Sequence, residues 1–115
     1  MKEDIIIKEQ TTYATTEIFD YLINQGIINP AEIISAKINY NKEKGLPSWE
    51  APIEEYPIIL KTCYGQKVFI YCVTAGYGGS GPNATYEILK KLDFDVSKSE
   101  IFTNNITGRW YLNKK

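Results

Sequence analysis

Apolar residues recur along this chain in two rhythms, and the places where one gives way to the other outline its elements. Over residues 12–25, Ala14, Ile18, Tyr21 and Leu22 fall at helical spacing. Glu17 and Asp20 occupy the early turns, and Gly26 is placed to end the run. Asn29, Pro30 and Glu32 have the order of a second, short helical start, with a capping asparagine, a proline in the first turn and an acid reaching back. From Ile34 the period drops to two. Ile34, Ala36, Ile38 and Tyr40 alternate with Ser35, Lys37 and Asn39, which predicts a half-buried strand.

Residues 41–57 form a long polar connection containing Pro47, Pro52 and Pro57, with Trp49 set beside Glu50, Glu54 and Glu55. Connections well above the usual ~4–6 residues are often functional, and Trp49 is expected to fold back over the core as a lid. Residues 58–64 and 67–74 read as two strands joined by Gly65-Gln66, a pair suited to a type II′ hairpin turn. That register sets Cys63 opposite Val68 and Cys72 opposite Ile59, so the cysteines stand ~13 Å apart at ~3.3 Å per residue. The distance exceeds the ~7 Å Cα limit for a disulfide, and both are expected as buried free thiols, in keeping with a reducing compartment.

A glycine-rich segment, residues 75–82 (Ala-Gly-Tyr-Gly-Gly-Ser-Gly-Pro), follows the second of these strands. A helix over residues 83–92 comes next, with Ala84, Ile88, Leu89 and Leu92 on one stripe and Lys90 and Lys91 near its C-terminal end. Residues 101–103 and 109–112 read as two short final strands. The predicted fold class is α+β: a single-domain two-layer sandwich of about five mostly antiparallel strands, with two main helices on one face.

Composition sharpens this picture in few places. At 115 residues the chain has the size of one globular domain, and its 43% apolar and 23% charged residues lie in the globular range. The net charge of −1 conceals an asymmetry: residues 1–57 carry ten acids and five bases, whereas residues 58–115 carry four acids and eight bases. An overall pI near 5.5 argues against nucleic acid as a partner, which favours a basic domain. No apolar run approaches the ~20 residues of a membrane span. Only three isoleucines, Ile5, Ile6 and Ile7, follow the charged N-terminus, so no secretory signal is read and a cytoplasmic location is expected. The two glycosylation sequons, at Asn83 and Asn105, are then chance matches.

The chain contains no histidine, which removes the usual base of a serine or cysteine nucleophile and the commonest zinc ligand. Gly76-x-Gly78-x-x-Gly81 matches the dinucleotide fingerprint in form only. A doubly wound fold needs several parallel strand–helix units, and Pro82 removes a backbone donor where an anion would want one. Gly78-Gly79-Ser80-Gly81-Pro82 approximates a nucleophile elbow but ends in proline and lacks its base. No cofactor and no metal are expected.

The function expected from these residues is that of a non-catalytic binding protein, which docks on and blocks a partner protein in the manner of an immunity or inhibitor protein. Trp49, Glu50, Glu54 and Glu55 are its candidate contact residues, because interface cores favour aromatic side chains and acids steer basic partners. The alternative is binding or sequestration of a small phosphorylated or nucleotide ligand at the glycine-rich loop. There Tyr77, Gly78, Gly79, Ser80, Gly81, Asn83 and Thr85, with Arg109, would supply backbone and polar contacts to an anion. An enzyme of unidentified class is the second alternative.

Overall fold

The computed structural model describes residues 3–40, 46–73, 80–103 and 108–113. Five strands form one mixed sheet: β1 (Ile5–Ile7), β2 (Ile33–Tyr40), β3 (Ile58–Thr62), β4 (Lys67–Ile70) and β5 (Gly108–Asn113), in the spatial order β1-β4-β3-β2-β5. β1 runs parallel to β4, and the other three pairings are antiparallel. The helices are α1 (Thr12–Asn24), α2 (Ser80–Lys91) and the short α3 (Lys98–Thr103). The fold is thus α+β, with a two-layer helix-on-sheet core.

Local chemistry sets the helix limits. Thr11 caps α1 by accepting the Ala14 N–H at 3.0 Å, and Gly26 closes it in the left-handed region at φ +74°. Asn29 accepts the Ala31 N–H ahead of a 3₁₀ turn over Pro30–Glu32. α2 starts three residues before the expected position 83, taking Gly81 and Pro82 into its first turn, where a missing N–H costs nothing. The core between helices and sheet is built from Phe19, Ile88, Leu89, Leu92 and Ile101 against Ile38, Ile58, Leu60, Val68 and Ile70, all buried.

Four expectations need correction. Residues 101–103 are the end of α3 and not a strand: Ser97 and Glu100 exchange reciprocal bonds, Glu100 N–H to Ser97 Oγ and Ser97 N–H to Glu100 Oε1, both 3.1 Å. This is a capping box, and it starts a helix. The fifth strand is instead β1, a three-residue run too short to show a period of its own. The β3–β4 hairpin is not a two-residue turn in the register expected. Leu60 pairs with Val68 and Lys61 with Lys67, and the longer connection closes with Gly65 at φ +86°, the left-handed position of a three-residue loop. The cysteines are both free, but Cys63 is exposed on that connection and only Cys72 is buried.

β2 carries one irregularity that the even alternation hides. Ile33 pairs with Thr62 and Ser35 with Lys61, leaving Ile34 as the extra residue of a bulge. The bulge re-phases the strand, so that Ile33 is buried with Ala36 and Ile38 while Ile34 is exposed.

Candidate functional site

The sheet face opposite the helices is covered in part, over Ile59, Phe69 and Tyr71, by the β2–β3 connection. Along each strand the residues alternating with the core point to this face: Ile6, Phe69, Ile59 and Lys37 lie in register across β1, β4, β3 and β2, continued in β5 by the backbone position of Tyr111. Ile59, Phe69, Tyr56, Tyr71 and Cys72 form a second buried cluster with Ile53 packed on it, separate from the main core. A sheet with apolar residues on both faces must be covered twice, and here the second cover is residues 46–57.

That connection is fastened at several points. The Tyr71 hydroxyl, one residue past β4, donates to the Pro47 carbonyl at 2.7 Å. Asn39 Nδ2 in β2 donates to the Glu54 and Tyr56 carbonyls at 3.2 and 2.7 Å, clamping the 3₁₀ turn Ile53–Glu55 to the sheet. Tyr71 stacks edge-on with Tyr56, and Trp49 stacks edge-on with Tyr71, the preferred geometry for aromatic quadrupoles. The Lys8 ammonium lies 4.4 Å from the centre of the Trp49 ring, within cation–π range.

Trp49 is therefore held by Tyr71 and Lys8 yet remains 44% exposed. Glu50, Glu54 and Glu55 are exposed beside it in the chain. The structure thus brings Trp49 and its three acids onto one fastened segment. Arg109 in β5, known by its backbone, pairs with Asn39 of β2, so its strand position adjoins the residue that clamps this segment.

The other candidates are distributed differently. Tyr77, Gly78 and Gly79 lie outside the described residues. Ser80 opens α2 and is described by its backbone, Gly81 is buried, Asn83 is exposed in the first turn, and Thr85 is wholly buried. Thr85 thus belongs to the interior of the fold.

Two groups near the second cluster have shifted acidities. Burial pushes the Cys72 thiol up, opposed by hydrogen bonds from the Thr12 and Thr15 side chains. Burial also raises the Tyr71 phenol, reinforced by the neighbouring Cys72 and Tyr56. Both shifts favour the protonated form, so Cys72 is a thiol at neutral pH, the unreactive state. Among the described residues, no group of three Cys, Asp or Glu side chains is placed to hold a metal ion, and no helix is long and apolar enough to cross a membrane.

Sequence reasoning missed Lys8, Asn39 and Tyr71, the three residues that hold the Trp49 segment. A lysine just past a strand and an asparagine within one carry no mark of their partners, which come from residues 15 or more away in the chain. No protein-family model matches the chain, and no curated protein or solved structure does either.

Proposed function

We propose that this protein is a non-catalytic binding protein that docks on and blocks a partner protein, in the manner of an immunity or inhibitor protein, through the segment of residues 46–57. The observation that carries the reading is Trp49: nearly half exposed, yet fixed by Tyr71 and Lys8. Binding costs side-chain ordering, and an aromatic anchor already held in one position has less to lose. Tryptophan is also among the residues that dominate interface energetics. Glu50, Glu54 and Glu55 follow this anchor in the chain with negative charge suited to steering a basic partner surface.

The test is affinity capture from the native host with unmodified protein and with Trp49→Ala/Glu54→Lys/Glu55→Lys as baits, both verified as folded by thermal melting. A protein held by the first and released by the second supports the surface; one held equally by both rejects it. A parallel melting screen against nucleotides and phosphorylated metabolites examines the alternative. Saturation at a hundred times the dissociation constant adds ~2.7 kcal/mol, and such a stabilisation, lost in Gly79→Val, would move the function to the glycine-rich loop.

A further inference from the structure

Lys61 and Lys67 stand directly opposite each other in the antiparallel β3–β4 pair, both exposed. Like charges in that position destabilise a sheet. Lys37 lies diagonally beyond Lys61, since Lys61 pairs with Ser35 and Lys37 with Ile59. All three alternate with core residues and so share the helix-free face. They make a basic diagonal across three strands, with steps of ~5 Å for the opposed pair and ~7–8 Å for the diagonal one. None of the three has an ion-pair partner among the described residues; the acid nearest in register, Asp4, spends an oxygen on the Lys67 backbone N–H at 2.9 Å. A local rule broken with no side-chain ion pair to offset it is a mark expected of a functional surface.

We infer that this lysine diagonal receives an acidic, extended segment of the partner protein, with carboxylates at every second residue. In an extended chain such carboxylates share one side and repeat every ~6.6–6.8 Å, between the ~5 Å and ~7–8 Å lysine steps and within reach of flexible lysine side chains. The exposed side chain of Ile6 shares this face, level with Phe69 and Ile59 on the outer strand β1. A nucleic-acid backbone fits less well, because a polyanion continuing along the face from the lysines meets the segment bearing Glu50, Glu54 and Glu55, and the whole chain is net acidic. The face is thus polarised, basic at the β3–β4 connection and acidic at the Trp49 segment. This deepens the proposed function and rests on it: the partner presents an acidic strand to one end and a basic patch to the other.

The probe is a fluorescein-labelled peptide of alternating glutamate and threonine, titrated against the full chain by anisotropy at low salt, where surface charge is least screened. Its counterparts are an alternating lysine–threonine peptide and an oligothymidylate of equal charge. Saturable binding of the glutamate peptide, weakened at least about tenfold by Lys61→Gln/Lys67→Gln and unaffected by Trp49→Ala, is expected. Amide shifts confined to Lys37, Lys61, Lys67 and their neighbours in the unmodified protein give a readout free of any mutation. Absence of binding, or binding indifferent to the double substitution, overturns the inference. Equal or tighter binding of the oligothymidylate at the same lysines overturns it in favour of a phosphate backbone. Because the peptide reads the lysines alone, its failure leaves the Trp49 surface standing, and failure of the capture experiment at Trp49 is visible separately.

Discussion

The indole of Trp49 stands edge-on to the phenol ring of Tyr71, with centroids 5.2 Å apart and planes inclined at 84°. The same tyrosine grips the connection a second time, through its hydroxyl on the Pro47 carbonyl. One side chain at the end of β4 thus fixes two points of the segment that covers the helix-free face. Tyr71→Phe keeps the ring and removes the hydroxyl, and is expected to lower stability by about 1 kcal/mol. Tyr71→Ala removes the platform and should cost about 3 kcal/mol or more. Urea denaturation of the two variants checks both figures; equal losses would mean that the ring contributes nothing beyond its hydroxyl.

Lys8 completes the setting of Trp49 from β1's side. Lys8→Met retains most of the apolar stem and deletes the cation, so it isolates the cation–π contact. The expected loss is about 0.5–1 kcal/mol, and it should vanish in a Trp49→Ala background, where the ring is already gone. A double-mutant cycle measures this coupling, and a coupling of zero would show that Lys8 and Trp49 are neighbours only.

How much of this was legible in the residues follows from the range of each interaction. α1, the Pro30–Glu32 turn and the apolar stripe of α2 rest on contacts within a few positions, and the chain displays them openly. β1 has no period to display, because three isoleucines acquire meaning only when Val68, Phe69 and Ile70 lie beside them. The bulge at Ile34 and the hairpin register are likewise decided by partner strands, since one residue of slip exchanges the two faces of a strand. Cys63 was misplaced with that register. The exposed Trp49 segment was visible as a composition, but its fastening by Asn39 and Tyr71 depends on tertiary contacts that spacing cannot express.

Whereas the β-branched and aromatic run Ile101, Phe102 and Thr103 reads as a strand, the capping box of α3 is a local signal in Ser97 and Glu100. Its weight is measurable. Ser97→Ala leaves the Glu100 N–H without its acceptor and should destabilise the domain by about 1 kcal/mol. Glu100→Ala should cost less, and the double variant should cost less than the sum, because each bond orients the other. Strict additivity in thermal or chemical melts would show two independent bonds rather than a reciprocal pair.

The two thiols should separate cleanly under alkylation. Cys63 is exposed on the hairpin connection, whereas Cys72 is buried with its acidity weakened. Iodoacetamide at neutral pH is expected to modify Cys63 alone, with Cys72 reacting only after denaturant is added; peptide mass spectrometry reads the two sites separately. Comparable native-state labelling of both would show that Cys72 opens to solvent by a local route.

Alkaline stability follows from the same burial. The Cys72 thiol is raised from an ordinary value of 9.0 and the Tyr71 phenol from 10.0, so the folded chain holds both protons more tightly than the unfolded chain. The stabilisation linked to each is fully present below its ordinary value and is lost as pH climbs through the raised one. The midpoint of urea unfolding should therefore fall above about pH 9, first through Cys72 and then through Tyr71. Cys72→Ala should flatten the onset of that fall and Tyr71→Phe its later part. A profile that Cys72→Ala does not alter would show that its burial is not what couples this thiol to folding.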